Sequence, residues 1–277
     1  MQNKTTNPTS SSGLSVRFSG SIAEVYEEVL GAFLFEPYAA DLAQRIGQHH
    51  PAAVLELACG TGRLTQKILQ QLPPSAKLTA TDLEADMLKV AKEHIHYPNV
   101  DWATADMTNI PYNDNQFDLV VCQFGLMLVP DKLKALSEMY RVLKPGGQLL
   151  FSVWGLLKDN PIWRMGGEVV NRFLGINPIA QDPGPFSMKQ EETLVWLKGT
   201  GFAHASVDTV KQTGTIATAA MAASGFINGL PVHLAIRKKD PALLPAIEQA
   251  LETELISQLG NHPLQSPLSA WVFEAVK

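Results

Sequence analysis

Short apolar runs alternate with stretches of helical periodicity between residues 53 and 154. The runs have the length and composition of buried strands and lie at Ala53–Leu57, Lys77–Thr81, Val100–Thr104, Leu119–Gln123 and Gln148–Trp154. Amphipathic helices are predicted between them at Leu64–Leu72, Met87–Ile95 and Asp131–Leu143. Strands that alternate with helices through right-handed crossovers predict an α/β fold, with a mostly parallel sheet covered on both faces.

Two helices are predicted ahead of this alternation. The segment Ser21-Ile22-Ala23-Glu24 has the form of a capping box, which predicts a helix from Ser21 to about Leu34. A second helix is predicted to begin at Pro37, because proline suits the first turn of a helix. The start of the chain is rich in Ser, Thr and Asn without an apolar centre, so residues 1–20 are expected to be a disordered tail and not a secretory signal.

The pattern becomes less regular after Trp154. Four prolines between residues 155 and 185 accompany an apolar segment, Ile162–Leu174, which is predicted to be a helix of an inserted cap. Further elements are predicted as a helix from a capping box at Ser187 and Gln190 to about Gly199, a strand at Ala203–Val210, an apolar cap segment at Ile216–Ile236, a helix at Pro241–Leu259 and a strand at Ser269–Val276.

These elements suggest a tail, a core and two insertions. The core is assigned to residues 21–155, 186–215 and 262–277. Residues 156–185 and 216–261 are assigned to cap insertions that would cover a substrate.

Composition and charge narrow the function classes. The chain has 277 residues, of which 45% are hydrophobic, and this suffices for one large core with an appendage. A net charge of −5 provides no global positive field for nucleic acid, and no run approaches the ~18 apolar residues of a membrane helix. The two cysteines, Cys59 and Cys122, lie in apolar elements, which favours a reducing compartment over a disulfide framework. We therefore expect a cytoplasmic protein with a small-molecule substrate, no nucleic-acid partner and no membrane insertion; the oligomeric state stays open.

The first strand and the loop after it have the pattern of a nucleoside-binding corner. Gly60 and Gly62 allow positive φ or close approach of a ligand to the backbone. Asp82 lies 20 residues beyond Gly62 at the end of the second strand, where open α/β sheets place a carboxylate for ribose hydroxyls. The third glycine of a dinucleotide-binding fingerprint is replaced by Thr65, so this pattern disfavours a dinucleotide.

The segment Glu56-Leu57-Ala58-Cys59-Gly60-Thr61-Gly62 resembles the first motif of class I S-adenosylmethionine-dependent methyltransferases. Four further matches follow in chain order, at Thr81-Asp82-Leu83, Ala105-Asp106-Met107, Phe117–Gln123 and Arg141–Gly147. The resemblance implies a Rossmann-like three-layer sandwich with a seven-stranded, mostly parallel sheet, an antiparallel last strand between the fifth and sixth strands, and a helical cap. It also implies S-adenosylmethionine as cofactor, S-adenosylhomocysteine as its product, and no metal.

The resemblance further implies which residues bind the cofactor. Glu56 is expected near its methionine end, and Gln123 and Phe124 beside its methionine moiety. Asp82 is expected at the ribose, and Asp106 with Met107 at the adenine. The full set is Glu56, Ala58, Gly60, Gly62, Asp82, Leu83, Asp106, Met107, Gln123 and Phe124. Simpler roles stay open, because Asp82 could cap the next helix, Asp106 could be an ordinary loop residue and Phe124 could belong to the core. Ala58 replaces a glycine common in the family, which we expect to be a mild change because alanine is the next smallest residue.

The reaction implied by the resemblance is direct displacement of a methyl group onto a small-molecule acceptor. The apolar residues of Ile216–Ile236 favour a lipophilic or aromatic acceptor over a nucleic acid. Two alternatives stay open: a nicotinamide-dependent oxidoreductase and a non-catalytic cofactor-binding module. A sulfonium methyl group is already activated, so positioning and exclusion of water matter more than covalent help. No catalytic base is assigned; His233, Tyr26 and Tyr38 are candidates, and Trp163 is a candidate lining residue of the acceptor pocket.

Overall fold

A single seven-stranded sheet organises the chain. The computed structural model describes residues 21–177 and 184–277, so the tail predicted at 1–20 and part of the first cap insertion lie outside the described residues. The strands are β1 (Ala53–Leu57), β2 (Lys77–Asp82), β3 (Val100–Thr104), β4 (Phe117–Gln123), β5 (Leu143–Trp154), β6 (His204–Ile216) and β7 (Leu264–Val276). Their order in the sheet is β3-β2-β1-β4-β5-β7-β6.

Strand direction confirms the fold class expected from the sequence. The five strands β1 to β5 pair in parallel. The strand β7 inserts between β5 and β6 and is antiparallel to both. Because the parallel strands end at one edge of the sheet, the motif residues that follow β1, β2, β3 and β4 gather at that edge.

Helices cover both faces of the sheet, and some of them lie in the segments predicted to be cap insertions. Their bounds are α1 (Ser21–Val25), a π-helix (Tyr26–Phe35), α2 (Glu36–His49), α3 (Arg63–Gln71), α4 (Ala85–His94), α5 (Lys132–Val142), α6 (Pro161–Leu174), α7 (Gln190–Thr200), α8 (Ala219–Asn228), α9 (Val232–Lys239) and α10 (Leu244–Leu259). One apolar cluster, with Ile46, Leu64 and Ile68, packs α2 and α3 on one face of the sheet. A larger cluster joins the other face to α5 and the cap helices.

The N-terminal helices are continuous, which corrects the prediction of two separate helices. The chain is helical from Ser21 to His49, and its middle is a π-helix in which the Glu36 N–H donates to the carbonyl of Gly31. Pro37 lies in the first turn of α2, as predicted, but it marks the change from π to α geometry and not a new helix. The spacing of apolar residues along so short a segment does not distinguish a π-helix from an α-helix.

The two strands nearest the end of the sheet are longer than predicted. They were expected at Ala203–Val210 and Ser269–Val276, whereas β6 and β7 pair over thirteen residues each, from His204 with Val276 to Ile216 with Leu264. The additional half pairs only within this hairpin, since β5 reaches β7 no further than Ala270. Its polar sequence lacks the apolar run that predicts a buried strand.

The capping box predicted at Ser187 and Gln190 is not formed. Helix α7 begins at Gln190 after Lys189, which makes no side-chain cap hydrogen bond. It ends at Thr200, with Gly201 as its C-cap at φ +116°, and not at Gly199. The apolar segment 216–236 contains α8 and the start of α9, with a break between them. No single helix among the described residues is long and apolar enough to cross a membrane; α8 and α9 meet length and composition criteria only as a pair bent by 75°.

Asn160 connects the first cap helix to β7. Its side chain is fully buried, accepts from the Ser269 N–H at 2.9 Å, and donates to the carbonyls of Ser269 at 2.9 Å and Leu156 at 3.0 Å. We expect Asn160→Ala to lower the free energy of unfolding by about 3 kcal/mol, because it removes three hydrogen bonds and leaves the buried Ser269 N–H without its Asn160 partner. The Ser269 carbonyl keeps its bond from the Gly155 N–H. Urea unfolding measures this loss. The exposed Asn99 makes one hydrogen bond to the Pro74 carbonyl, so Asn99→Ala, as the control, is expected to cost less than about 1 kcal/mol; equal losses would contradict the prediction.

Candidate active site

The loop after β1 bends back between the ends of β1 and β2. Three of its residues have left-handed backbone conformations: Ala58 with φ +53°, Gly60 with +57° and Gly62 with +90°. The Cys59 N–H donates to the carbonyl of Thr81 at 2.9 Å, which fixes the loop to β2. Gly62 is also the N-cap of α3, so the helix points its first N–H groups at the loop.

Alanine at position 58 affects the backbone energy of the loop as well as its volume. We expected a mild change from glycine, but φ +53° is a conformation in which an L side chain is strained by about 1–2 kcal/mol. The neighbouring Gly125 accommodates the methyl group, since a Cβ at Gly125 would lie 2.4 Å from the Ala58 Cβ. The replacement thus changes backbone energy as well as volume.

Asp82 holds the loop from the end of β2. Its carboxylate accepts from the Gly60 N–H at 2.8 Å through one oxygen and from the Glu84 N–H at 2.9 Å through the other. The side chain is buried, and this burial raises the pKa of Asp82, while the two backbone hydrogen bonds oppose the rise. The bond to Glu84 has the form of the simpler capping role, and the bond to Gly60 joins the carboxylate to the loop. Ribose binding by Asp82 stays a prediction.

Glu56 is buried in the sheet just before the loop. Its Oε2 accepts from the Thr65 hydroxyl at 2.7 Å, whereas Oε1 is buried without a hydrogen-bond partner among the described residues. Burial raises the pKa of Glu56 to about 8, with a smaller contribution from Asp82 in the same direction and opposition from the Thr65 bond. A buried carboxyl with one unpaired oxygen is expected to have a polar or cationic ligand.

The surroundings of Gly60 fit a nucleoside. A Cβ built at Gly60 would meet no atom within 4 Å, so space lies open above the loop. Leu83, directly after Asp82, is 58% exposed, which is unusual for a large apolar side chain beside a buried strand. A bound S-adenosylmethionine would occupy the open space, cover the exposed leucine and provide a partner for the unpaired oxygen of Glu56.

Gly62 has a different role from Gly60. A Cβ at Gly62 would lie 2.5 Å from the Ile95 Cδ1 and 3.3 Å from the Ala91 Cβ, so this glycine allows the loop to pack against α4. Its predicted contact with the cofactor is therefore not needed to explain why glycine stands there.

The next two strands complete the predicted set. The exposed Asp106 accepts at 2.8 Å from both the N–H and the hydroxyl of Thr108, which matches the ordinary loop role, and Met107 packs against the core beside Gly125. Gln123 donates to the carbonyl of Phe35 at 2.9 Å, while its buried Oε1 has no partner among the described residues. The adenine and methionine contacts assigned to these residues stay predictions.

Phe124 belongs to the aromatic core and lies at the site as well. Its ring stacks on Trp154 at 4.1 Å between centroids, and the side chain is buried. Its backbone has φ +54°, which is an outlier for an aromatic residue and occurs preferentially at functional sites.

A network of charges between the N-terminal helix and the loop was not anticipated from the sequence. Glu27 accepts from the Thr61 hydroxyl at 2.5 Å and pairs with the Arg63 guanidinium at 2.6 Å. Gly31 makes room for this arginine, since a Cβ there would lie 2.6 Å from Arg63 Nε. The π-helix is therefore fastened to the start of α3. Glu27 and Arg63 are 36 residues apart in the sequence, and no sequence pattern predicts that they pair.

The three candidate bases have different surroundings. Burial raises the pKa of Tyr26, and the negative charges of Asp82 and Glu27 raise it further. Tyr38 is fully buried and its hydroxyl has no partner among the described residues; burial raises its pKa as well. Burial and Arg237 lower the pKa of His233, which lies in α9 near Glu248. Its buried Nδ1 has no hydrogen-bond partner among the described residues.

The two glycines allow a paired test of the loop. We expect Gly62→Ala to lower the free energy of unfolding by about 3 kcal/mol, through left-handed strain and overpacking against Ile95. Gly60→Ala should cost about 1 kcal/mol, because only the backbone strain applies. Calorimetric titration should nevertheless show S-adenosylmethionine binding at least about tenfold weaker for Gly60→Ala, since the methyl group enters the open space. Equal losses of stability, or unchanged binding by Gly60→Ala, would contradict the distinction.

Both cysteines are free and buried, and burial raises the pKa of both thiols, that of Cys122 to about 12. They behave as small apolar side chains. Within the ranges 21–177 and 184–277, no group of three or more His, Cys, Asp or Glu side chains is arranged to hold a metal ion.

Comparisons with known proteins agree on one family. A family model described as a methyltransferase domain matches residues 54–147. The ubiquinone/menaquinone biosynthesis C-methyltransferase UbiE of Pseudoalteromonas translucida is 44% identical over 106 residues, which cover 37% of this chain and 41% of that protein. The corresponding enzyme of Pasteurella multocida is 36% identical over 163 residues, covering 57% of this chain and 59% of that enzyme. The matches thus span less than two thirds of these relatives.

A solved structure extends the likeness to the fold. Phosphoethanolamine N-methyltransferase 2 of Haemonchus contortus, in complex with phosphomonomethylethanolamine and S-adenosylhomocysteine, superposes with a TM-score of 0.57 and 20% identity, covering 92% of this chain and 56% of that one. At this identity the likeness establishes the fold alone. Nothing in these comparisons favours the alternative of a nicotinamide-dependent oxidoreductase.

Proposed function

We propose that this chain, which belongs to the class I S-adenosylmethionine-dependent methyltransferases, transfers a methyl group to a small lipophilic or aromatic acceptor. The observation that carries the proposal is the corner between β1 and β2, where Asp82 holds Gly60 and open space lies above the loop. The proposed reaction uses S-adenosylmethionine and no metal.

The residues of the corner fit this cofactor. In the proposal, Asp82, which accepts from the Gly60 N–H, also binds the ribose hydroxyls, and the exposed Leu83 provides an apolar surface for the adenine. The unpaired oxygen of Glu56 is proposed to bind the cationic amino-acid end of the cofactor. When bound, the cofactor supplies an activated methyl group: a bond forms from the acceptor atom to the methyl carbon as the carbon–sulfur bond breaks, and its electron pair stays on sulfur. The acceptor's proton leaves to a base or to water.

The chain's own contribution is positioning and the exclusion of water. The π-helix is fastened over the loop by Glu27 and Arg63, and α8 packs against this helix with Gly225 close to Val29. Residues 156–185 and 216–261 act in the proposal as cap insertions over the acceptor. A dry, closed site strengthens the electrostatic interactions that align donor and acceptor.

The character of the cap supports a lipophilic or aromatic acceptor. Phe226 and Ile227 of α8 and Ile162 and Met165 of α6 are buried in the same apolar cluster as Trp154. The named relatives are C-methyltransferases of ubiquinone and menaquinone biosynthesis, which is a statement about those proteins. An acceptor with an apolar ring system is compatible with both observations.

Two assays test the proposal. Calorimetric titration with S-adenosylmethionine and with S-adenosylhomocysteine should give binding at micromolar concentrations, and failure of both to bind well-folded protein at millimolar concentration would end it. Transfer of labelled methyl into a cell extract should then yield a labelled small molecule, which identifies the acceptor. Binding without transfer to any extract component would favour the non-catalytic module.

The proposal includes a cytoplasmic location and no nucleic-acid partner. The free, buried cysteines suit a reducing compartment, and a net charge of −5 provides no attraction to phosphate backbones. Cell fractionation of the tagged chain tests the location.

A further inference from the structure

The aromatic side chains at the end of β5 form a cluster that joins the sheet to the cap. Trp154 lies at its centre, with the Phe124 ring stacked on it at 4.1 Å and the Trp163 ring at 5.4 Å. Trp163, in α6, also contacts Phe226 of α8 at 5.3 Å between centroids. Tyr38 of α2 approaches Trp154 from another side at 5.7 Å, nearly perpendicular to it. We call these five residues the Trp154 cluster.

Two polar atoms of the Trp154 cluster are left without partners. Tyr38 Oη and Trp163 Nε1 are both buried, and neither has a hydrogen-bond partner among the described residues. Some other buried polar side chains are paired, as Asn160 is through both its amide atoms and Thr65 through its hydroxyl. The other unpaired buried atoms, such as Glu56 Oε1 and Ser152 Oγ, lie outside the Trp154 cluster. A buried unpaired polar group is costly, so two in one cluster call for a ligand that supplies the missing partners.

The position of the cluster indicates which ligand this is. Phe124 directly follows Gln123 at the end of β4, where the cofactor's reactive end is proposed to lie. Trp163 and Phe226 belong to α6 and α8, and Trp154 is the last residue of β5, at the edge where the parallel strands end. The cluster therefore joins the edge of the sheet at which the cofactor is proposed to bind to α6 and α8 of the proposed cap, which is the expected place for the methyl acceptor.

The chemistry of the two atoms narrows the acceptor class. An indole N–H can only donate, so its partner must offer a lone pair, as a phenolic or carbonyl oxygen does. The Tyr38 hydroxyl can donate as well, and burial raises its pKa, which keeps the proton on it. An ammonium group has no lone pair and cannot pair with the Trp163 N–H. None of the five side chains carries a charge that would bind a phosphate or a carboxylate.

We propose that Trp163 and Tyr38 are specificity residues that hydrogen-bond the ring oxygens of a neutral aromatic acceptor and thereby disfavour ammonium acceptors. This inference rests on the proposed function, because it assigns the acceptor side of the same site. It names an oxygen-bearing aromatic ring, such as a phenol or a hydroquinone, as the substrate class.

Binding of two matched probes tests the inference. Protein saturated with S-adenosylhomocysteine is titrated by calorimetry with 1-naphthol and with 1-naphthylmethylammonium, which share a ring system but differ in the polar group. We expect 1-naphthol to bind more tightly than the ammonium. Tyr38→Phe and Trp163→Phe should each weaken 1-naphthol about tenfold, the value of one hydrogen bond, and leave the ammonium within about twofold. Tyr140→Phe and Trp196→Phe, on α5 and α7, are the controls and should change neither Kd.

Two readouts separate recognition from a merely structural role. In nitrogen-15 spectra, the indole N–H signal that Trp163→Phe removes should be the one that shifts downfield when 1-naphthol is added. The unfolding midpoint of Tyr38→Phe without ligand should not fall, because the hydroxyl that it loses has no partner in the folded protein. A fall in this midpoint, with unchanged 1-naphthol affinity, would overturn the role of Tyr38.

The outcomes distinguish the inference from the proposed function. If S-adenosylhomocysteine itself does not bind, the proposed function fails. If S-adenosylhomocysteine binds but 1-naphthol does not bind up to millimolar concentration, the inference alone is wrong. The same holds if 1-naphthol binds both variants as tightly as it binds the unmodified protein. Tighter binding of the ammonium probe than of 1-naphthol would also overturn it.

Discussion

Asp82→Asn is expected to weaken S-adenosylmethionine binding about 100-fold. The asparagine keeps the size of the side chain but loses the charge that would accept hydrogen bonds from two ribose hydroxyls, each worth about 1.5 kcal/mol. It also places an amide N–H₂ opposite one of two backbone donors, Gly60 N–H or Glu84 N–H, both of which Asp82 now satisfies. Isothermal titration calorimetry measures the Kd, and thermal unfolding measures the accompanying loss of stability.

A neighbouring acid provides the control for this result. Asp101 lies on β3 beside β2 and is exposed, so Asp101→Asn makes the same chemical change outside the corner. Its Kd should stay within about twofold of the unmodified protein. An Asp82→Asn variant that is folded and binds with unchanged affinity would exclude the ribose role and leave only the capping role.

Glu56→Gln is expected to remove a large pH dependence of stability. The pKa of Glu56 in the folded chain is raised from 4.5 to about 8 by burial, so between these values the folded protein holds a proton that the unfolded chain has lost. Stability is therefore highest below pH 4.5 as far as this group is concerned, and falls as the pH rises toward 8. A pKa rise from 4.5 to about 8 corresponds to a loss on the order of 5 kcal/mol. Glu56→Gln has no titratable group at this position, so it should not show this loss of stability.

Urea unfolding at pH 6 and pH 8.5 tests this sign. The unmodified protein should lose stability over the interval relative to Glu56→Gln, while the exposed control Glu93→Gln should follow the unmodified protein. Parallel pH profiles for all three would show that burial of Glu56 has no such effect. A bound cation should favour the carboxylate, so S-adenosylmethionine binding near pH 7 should release a proton in the unmodified protein and not in Glu56→Gln.

The sequence predicted the parts of the fold that depend on local apolar pattern. Strands β1, β2 and β3 were placed within one residue, because each is a short buried run bounded by turn residues. The start of β5 was missed, since Leu143 pairs with Phe117 before a Lys-Pro-Gly-Gly stretch that is typical of a turn. The outer half of the β6–β7 hairpin was missed for a related reason: its strands satisfy each other's backbone without a continuous apolar face.

The site was predictable only as far as it is local in sequence. The loop glycines and Asp82 could be identified because the motif places them in a fixed relation to two strands. The bond from Thr61 to Glu27 spans 34 residues, and the ring contact of Trp163 with Phe226 joins two separate cap helices. Such contacts depend on how elements pack, and packing is decided by shape and not by spacing along the chain.

The place of β7 between β5 and β6 has a consequence for synthesis on the ribosome. Because β6 pairs only with β7 among the strands of residues 21–177 and 184–277, it has no partner in the sheet when it leaves the exit tunnel. The flank of β5 is equally bare until the residues from 264 onward have emerged. The nascent chain therefore exposes two unsatisfied backbone edges of the kind that chaperones shield and that otherwise promote intermolecular pairing.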